Sequence, residues 1–325
     1  MRYSILLIPL FALSLLQHTL VLHLLYYPKP KQTIPAVVTE PTSKAKAYTI
    51  PIIRVGNLMI IEAKIDSVFG NFVFDTGAQG LVLNRTYFRD YQKVFNTSSG
   101  GITGYNNEVF TKRVETLKLG NITMQKKQAS VIDLGHIENS KGIKIHGLIG
   151  ASLLEDFEAT IDLKKMVITL YPTDKKGNRI SATAHERKAD ITHPLSYRNQ
   201  IMFIKAEVGG SSLNFCIDTG AECNVIDQSS RGKVLETISI ERRSKLSGSR
   251  KQVVDVLYGS MTDFSISNSK LYNMKVVVTD MSAMQKTYGT SIDGMLGFDF
   301  FNQGAVTINI KKKQLSISFN KEAKP

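Results

Sequence analysis

Residues 60–78 read IIEAKIDSVFGNFVFDTGA, and residues 203–221 read FIKAEVGGSSLNFCIDTGA. The two stretches align at an offset of 143 residues, and both end in Asp-Thr-Gly-Ala. A second match follows in the same order, because GLIG at 147–150 corresponds to GMLG at 294–297 at an offset of 147. Matches kept in order along the chain indicate that one unit has been duplicated. The duplication predicts two lobes related by a pseudo-two-fold axis.

Each unit has the pattern of a β-rich fold. Apolar or alternating runs rich in Val, Ile, Phe and Thr are separated by Gly, Asn and Asp, which is typical of strands joined by turns. The predicted strands are 60–65, 71–74, 109–119, 124–133 and 159–171 in the first unit, and 202–208, 213–217, 260–266, 274–278, 305–310 and 314–319 in the second. Short helices are predicted at 151–157, 281–285 and 298–302. The fold class is therefore all-β, mainly β with a few short helices.

Within residues 1–27, Arg2 precedes an apolar run from Ile5 to Tyr27 that is interrupted only by Gln17, His18, Thr19 and His23. At about 1.5 Å per residue this run reaches about 34 Å, which is long enough to cross a bilayer as a helix. We interpret the segment as a signal peptide or a membrane anchor, and we favour the anchor because a small-x-small cleavage site occurs only early, at residues 12–14. A buried helix of a soluble protein is the alternative. The protein is accordingly expected to be exported, either membrane-anchored or periplasmic or extracellular.

The remaining chain divides at two polar stretches. The predicted organisation is a linker at 28–48, an N-terminal lobe at 49–172, an inter-lobe linker at 173–193 and a C-terminal lobe at 194–320. A length of 325 residues leaves each lobe large enough to have its own core.

Composition excludes several classes of protein. With 42% hydrophobic and 21% charged residues the chain is not mainly disordered, and two cysteines cannot make a disulfide-dense scaffold. Neither a Cys-x-x-Cys pair nor a histidine cluster is present to hold a metal, so no cofactor is expected. The net charge of +13 is compatible with binding to an anionic surface or with solvated lysines alone. Because the lysines are scattered without interleaved aromatic residues, nucleic acid is not an expected partner.

The chemistry of the chain is expected at its two Asp-Thr-Gly sequences. Each follows an apolar strand, so each places a carboxylate on a tight turn, where the glycine allows close backbone approach. Pseudo-symmetry brings Asp75 and Asp218 together, and two carboxyl groups about 3 Å apart share one proton because they cannot both ionise. The ionised partner then activates a water molecule and the protonated partner donates to a peptide carbonyl. The alternative for either aspartate alone is a turn-capping residue.

At these residues the chain resembles the aspartic peptidases, the family of the pepsin-like and retroviral (retropepsin) enzymes, over about residues 49–320. The resemblance implies a two-lobed acid-protease fold with Asp75 and Asp218 as the catalytic pair. It also implies that the site is supported by the residues of both triplets and by the glycine that ends each apolar-apolar-Gly sequence, namely Thr76, Gly77, Thr219, Gly220, Gly150 and Gly297. The alanine after each triplet is similar to retropepsins, whereas pepsin has a hydroxyl residue there. Loss of that hydroxyl predicts a higher pKa for the pair and activity at mildly acidic pH.

The family covers its cleft with a glycine-rich hairpin, the flap. Residues 99–105 read SGGITGY and match this feature in position, so Gly100, Gly101, Ile102, Gly104 and Tyr105 are candidate substrate-binding residues. An ordinary mobile turn is the alternative. The second unit has LSGSR at 246–250, without the double glycine, and this difference predicts one functional flap.

Two cysteines, Cys216 and Cys223, flank Asp218. A disulfide between them is one interpretation, and two small buried side chains is the favoured one. His146 and Asp293 precede the supporting glycines at equivalent positions and are interpreted as turn residues.

Together these features predict an aspartic endopeptidase that acts on peptides or proteins, is monomeric in catalysis and contacts the membrane through its N-terminal segment. The alternatives are a catalytically silent peptide-binding module on the same fold and a protein that binds anionic surfaces.

Overall fold

A computed structural model of the protein describes residues 47–94, 99–101, 104–106, 109–180, 188–247, 253–282, 284–285 and 289–319. The predicted signal peptide or anchor at 1–27 and nearly all of the predicted linker at 28–48 lie outside these residues. Within the described ranges no helix has the length and apolar character needed to cross a membrane.

The described part of the first unit consists of strands with one short α-helix and one 3₁₀ turn. Its strands are β1 (Tyr48–Pro51), β2 (Ile53–Val55), β3 (Leu58–Ile65), β4 (Val68–Phe74), β5 (Leu81–Asn84), β6 (Gln92–Val94), β7 (Ser99–Gly101), β8 (Gly104–Asn106), β9 (Val109–Leu119), β10 (Ile122–Ile132), β11 (Gly147–Ile149), β12 (Phe157–Asp162) and β13 (Val167–Pro172). Helix α1 covers Gly135–Lys141, and the 3₁₀ turn covers Ala151–Leu154.

The second unit repeats this composition. Its strands are β14 (Ile191–Pro194), β15 (Ser196–Arg198), β16 (Ile201–Val208), β17 (Ser211–Ile217), β18 (Asn224–Asp227), β19 (Ile238–Ser247), β20 (Val253–Met261), β21 (Phe264–Ile266), β22 (Ser269–Leu271), β23 (Met274–Thr279), β24 (Gly294–Leu296), β25 (Gly304–Asn309) and β26 (Gln314–Phe319). Helices α2 and α3 cover Gly232–Leu235 and Phe298–Phe301. The predicted all-β class is confirmed.

The two lobes share one sheet topology. The order β3-β4-β11-β5-β10-β9 in the first lobe corresponds to β16-β17-β24-β18-β23-β20 in the second. In both lobes the strand that ends at the aspartate lies parallel to the short strand that ends at the supporting glycine, with Val73 opposite Leu148 and Cys216 opposite Met295. Strands β3 and β16 even have the same sequence of buried and exposed positions, as expected for two copies of one unit.

A six-stranded sheet joins the lobes in the order β1-β13-β12-β25-β26-β14. At its centre β12 of the first unit pairs antiparallel with β25 of the second, and Thr160 faces Thr307. These two residues are equivalents at the offset of 147, and their hydroxyl oxygens lie 2.9 Å apart. Because a residue meets its own equivalent only at a symmetry axis, the pseudo-two-fold axis passes between them.

Several predicted elements have different bounds in the structure. The strand predicted at 159–171 is a hairpin of β12 and β13, because Asp162 Oδ1 accepts the Lys165 N–H at 3.0 Å and Met166 has a positive φ of 55°. The strand predicted at 260–266 is divided between the end of β20 and β21. The helix predicted at 151–157 is reduced to the 3₁₀ turn, since Phe157 begins β12. Helices α1 and α2 were not predicted.

Two apolar clusters hold the lobes together. The larger one lies between the lobe sheets and the six-stranded sheet. The second contains residues from both lobes on the strands that lead to the aspartates and on their parallel neighbours, among them Val73, Leu148, Cys216 and Met295. Burying each such side chain contributes about 1.5–3 kcal/mol, so the strand ends that carry the site rest on a well-packed base.

Candidate active site

Asp75 and Asp218 directly follow strands β4 and β17, and each residue is only 1% exposed. The backbone N–H of Asp75 donates to the Ile149 carbonyl at 3.0 Å, and the N–H of Asp218 donates to the Leu296 carbonyl at 3.0 Å. Each aspartate is therefore held at the end of its strand by the neighbouring parallel strand. The structure brings the two residues together at the boundary between the lobes.

A reciprocal hydrogen-bond network joins the two loops from beneath. The Thr76 N–H donates to Thr219 Oγ1 at 2.9 Å, and the Thr219 N–H donates to Thr76 Oγ1 at 3.0 Å. Each hydroxyl also donates to the opposite strand, Thr76 to the Ile217 carbonyl at 3.0 Å and Thr219 to the Phe74 carbonyl at 2.7 Å. Because both threonines are fully buried, water cannot replace these bonds without opening the lobes.

The glycine of each triplet lies against the carboxyl group of the other lobe. A Cβ atom on Gly77 would be 2.5 Å from Asp218 Cγ, and a Cβ atom on Gly220 would be 2.6 Å from Asp75 Cγ. Non-bonded carbon atoms prefer separations of about 3.5–4.0 Å, so neither position has room for a side chain. Both glycines are thus required by the close approach of the two aspartates.

The carboxyl groups are held by backbone donors. Asp75 Oδ1 accepts the N–H groups of Gly77 and Ala78 at 2.9 and 3.1 Å, and Asp218 Oδ1 accepts the Gly220 N–H at 2.8 Å. Asp75 Oδ2 is buried and receives no hydrogen bond from an N–H or hydroxyl donor of the described residues. The negative charge of Asp218 acts on this carboxyl group, so ionisation of both groups at once is disfavoured.

Burial and, next, the negative charge of Asp218 raise the pKa of Asp75 well above its ordinary value. Burial also raises the pKa of Asp218, against the opposing effect of hydrogen bonds from backbone N–H groups. The arrangement therefore favours a single proton shared by the pair.

The supporting glycines lie behind the two loops. A Cβ atom on Gly150 would be 2.4 Å from the Ala78 carbonyl oxygen, and one on Gly297 would be 2.6 Å from the Ala221 carbonyl oxygen. The residues that follow them, Ala151 and Phe298, donate their N–H groups to the same two carbonyls at 3.0 and 2.9 Å. Only glycine allows the backbone to pass this closely behind each aspartate loop.

The candidate flap is a β-hairpin in the structure. Strands β7 and β8 pair antiparallel, with Gly100 opposite Tyr105 and Gly101 opposite Gly104, while Ile102 lies outside the described residues. The second lobe has a hairpin at the equivalent place, formed by β19 and β20, and its end at residues 248–252 also lies outside the described residues. The prediction of a single functional flap therefore rests on glycine content alone.

Both cysteines are free. Cys216 is fully buried in the second apolar cluster, and the half-buried Cys223 packs against the same cluster. Burial raises the pKa of both thiols, so neither is poised to react as a thiolate. The interpretation as a small buried side chain is confirmed for Cys216, whereas Cys223 is only half-buried.

His146 and Asp293, which directly precede the GLIG and GMLG sequences, make structural contacts. The His146 ring stacks on Tyr87 with 4.2 Å between ring centroids and fills the space beside Gly70. Asp293 Oδ2 accepts the Asn214 N–H at 2.7 Å. Among the described residues no group of three or more His, Cys, Asp or Glu side chains could hold a metal ion.

Sequence reasoning missed the residue that follows each Asp-Thr-Gly-Ala. Gln79 of the first lobe donates from Nε2 to the Asn199 carbonyl of the second at 3.0 Å. Glu222, its equivalent in the second lobe, forms an ion pair with Lys141 and accepts a hydrogen bond from Asn57, both in the first lobe. The equivalence of positions 79 and 222 was visible in the duplication, but their partners were not.

Comparison with known proteins agrees with this geometry. A family model described as aspartyl protease matches residues 61–153 and again residues 204–300, which together are more than half of the chain. No curated protein matches the chain. The two matches coincide with the two lobes and include both buried aspartates, and the chain therefore belongs to the aspartyl protease family.

Proposed function

We propose that the protein is an aspartic endopeptidase that hydrolyses peptide bonds with a water molecule activated by Asp75 and Asp218. The observation that supports the proposal is the buried carboxyl pair, which is held by a symmetric network and in which the pKa of both groups is raised. Membership of the aspartyl protease family also supports the proposal.

In the proposed mechanism Asp218 begins as the ionised partner and Asp75 as the protonated one. Asp218 takes a proton from the water molecule while the water oxygen attacks the peptide carbonyl carbon, and Asp75 donates its proton to the carbonyl oxygen. The product is a neutral tetrahedral diol. Asp218 is now the protonated partner and Asp75 the ionised one. Asp218 then protonates the leaving nitrogen as the C–N bond breaks, and Asp75 takes a proton from a diol hydroxyl, which restores the starting state.

The raised pKa values predict activity at mildly acidic rather than strongly acidic pH. Alanine follows each triplet, so Ala78 and Ala221 supply a backbone N–H but no hydroxyl to the carboxyl groups. Without that donor the ionised form of the pair is less stabilised, so the acid limb of the pH–activity profile lies at higher pH.

Further parts of the proposal concern the substrate and the setting. The hairpin of β7 and β8 closes over a peptide and excludes water from the cleft. One chain is sufficient for catalysis, because it contains both aspartates. The N-terminal segment exports the protein and, when uncleaved, keeps it at the membrane.

The test uses the full chain with Asp75→Asn and Asp218→Asn variants and Asp263→Asn as a control. Asp263 is a partly exposed aspartate paired with Lys270, so its loss leaves the carboxyl pair intact. Each protein is incubated with a diverse peptide library from pH 3 to 7, and cleavage is read by mass spectrometry. We expect cleavage by the wild-type and control proteins and a loss of at least about 1,000-fold in each site variant.

Cleavage that survives in either site variant would disprove the shared-proton mechanism. If none of the proteins cleaves but all bind peptides, the silent peptide-binding module becomes the better description.

A further inference from the structure

Glu222 lies at the boundary between the lobes, four residues after Asp218 in the same loop. Its carboxylate forms an ion pair with Lys141, the last residue of helix α1 in the first lobe. Both side chains are only 13% exposed, which distinguishes this pair from the many ion pairs at protein surfaces that contribute little.

The turn between β2 and β3 adds two hydrogen bonds from Asn57 to the same residue. The Asn57 N–H donates to Glu222 Oε2 at 3.2 Å, and Asn57 Nδ2 donates to the Glu222 carbonyl at 2.8 Å. Gly56 has a φ of +62°, and a Cβ atom there would be 3.0 Å from Glu222 Oε2. The side chain and the backbone of Glu222 are thus both held by the first lobe.

The equivalent contact on the other side of the pseudo-two-fold axis is weaker. Gln79 occupies the position of Glu222, but its amide is uncharged and donates a hydrogen bond to the Asn199 carbonyl in an exposed setting. The duplication therefore holds the loop of Asp218 with a charged contact and the loop of Asp75 with a neutral one. Charge-assisted hydrogen bonds are about twice as strong as neutral ones.

We propose that Lys141 and Glu222 are positioning residues that hold the Asp218 loop against the first lobe. The inference rests on the proposed function, because a peptidase of this kind needs its two carboxyl groups in register. A misplacement of about 1 Å in an active site costs about 100-fold in rate. Loss of the ion pair therefore lowers kcat through the position of Asp218, while KM, which depends on the whole cleft, changes little.

The experiment compares variants of the full chain: Lys141→Met, Lys141→Arg, Glu222→Gln and the exchanged pair Lys141→Glu/Glu222→Lys. Gln79→Ala is the matched control at the pseudo-symmetric position. Arg179→Met is the control for loss of an ion pair of similar burial, because Arg179 pairs with Glu158 in the six-stranded sheet. The readouts are kcat, KM and amide hydrogen exchange of the segments around Asp75 and Asp218.

We expect Lys141→Met and Glu222→Gln to lower kcat by at least 10-fold with KM within threefold. Lys141→Arg should remain within about threefold of the wild type, and the exchanged pair should recover part of the loss. Amide exchange at residues 218–224 should rise at least 10-fold in Lys141→Met and stay unchanged at residues 75–81. Both controls should leave exchange at 218–224 within twofold.

Unchanged exchange at 218–224 in Lys141→Met would overturn the proposal, with or without catalysis. An equal fall in kcat in Arg179→Met would also overturn it, since the effect would then be one of general stability. If exchange at 218–224 rises as expected in Lys141→Met but the wild-type protein has no peptidase activity, the proposed function is rejected and the contact is a structural one.

Discussion

The network of Thr76 and Thr219 allows a quantitative test of what holds the two aspartate loops together. Thr219→Val keeps the shape of the side chain and removes its oxygen. The Thr76 N–H then loses its acceptor and the Phe74 carbonyl loses a donor, both in a fully buried setting. Each unsatisfied group costs about 1–3 kcal/mol, so we expect a loss of about 2–6 kcal/mol in the free energy of unfolding. That is a large part of the roughly 5–15 kcal/mol that stabilises a typical domain.

Thr219→Ser is the matched variant, because it keeps the hydroxyl and removes one methyl group. Its expected cost is about 1 kcal/mol. The protein has no tryptophan and 12 tyrosines, so urea unfolding is followed by tyrosine fluorescence and circular dichroism. Peptide cleavage is measured in parallel, and it should be nearly retained in the serine variant and largely lost in the valine variant. Equal losses of stability in the two variants would refute the reasoning, because the hydroxyl would then contribute no more than the methyl group.

Three further predictions concern the site and its surroundings. Gly77→Ala would place a Cβ atom 2.5 Å from Asp218 Cγ. We therefore expect kcat/KM to fall by about 100-fold and the free energy of unfolding to fall by about 1–3 kcal/mol. A fully active variant would contradict this geometry. Ala221→Ser would add a hydroxyl group that donates a hydrogen bond worth about 1 kcal/mol to the Asp218 carboxylate. The acid limb of the pH–kcat/KM profile should therefore move to lower pH by about 0.7 pH unit, and a move to higher pH would contradict this reasoning. Burial raises the pKa of Asp299 to about 6, so the folded state binds its proton more tightly than the unfolded chain and stability should rise as the pH falls from about 6 to about 4. Asp299→Asn should flatten that part of the stability profile measured by urea unfolding, and an unchanged slope would exclude Asp299 as its source.

The bounds of strands were predictable where the pattern was strictly local. β9 was predicted at 109–119 and is found there, because its flanking turns are marked by polar and glycine residues. The hairpin of β12 and β13 was missed because its turn contains no glycine or proline. It depends on the Asp162 side chain and on a positive φ at Met166, neither of which is favoured by residue type alone. Helix α1 was missed for a similar reason, since its seven residues are too few to show a helical period.

The close contacts of the candidate site were only partly accessible to sequence reasoning. The glycine of each triplet was expected to allow close backbone approach, and Gly77 does pack closely, but against the carboxyl group of the opposite lobe. The cross-lobe partner of Glu222 could not have been predicted, because Lys141 is 81 residues away and lies in a segment without an equivalent motif.

Two properties of this protein follow from its amino-acid sequence without reference to coordinates: the duplicated β unit and the pairing of Asp75 with Asp218. Both depend on local signals, namely period-two burial and a short polar motif at the end of an apolar strand, and duplication supplies the symmetry that joins them. The difference in how the two aspartate loops are held against the opposite lobe depends on tertiary structure. A charged contact at Glu222 and a neutral one at Gln79 arise from side chains that meet only when the lobes pack, since the energy of an ion pair depends on its distance and burial rather than on sequence position.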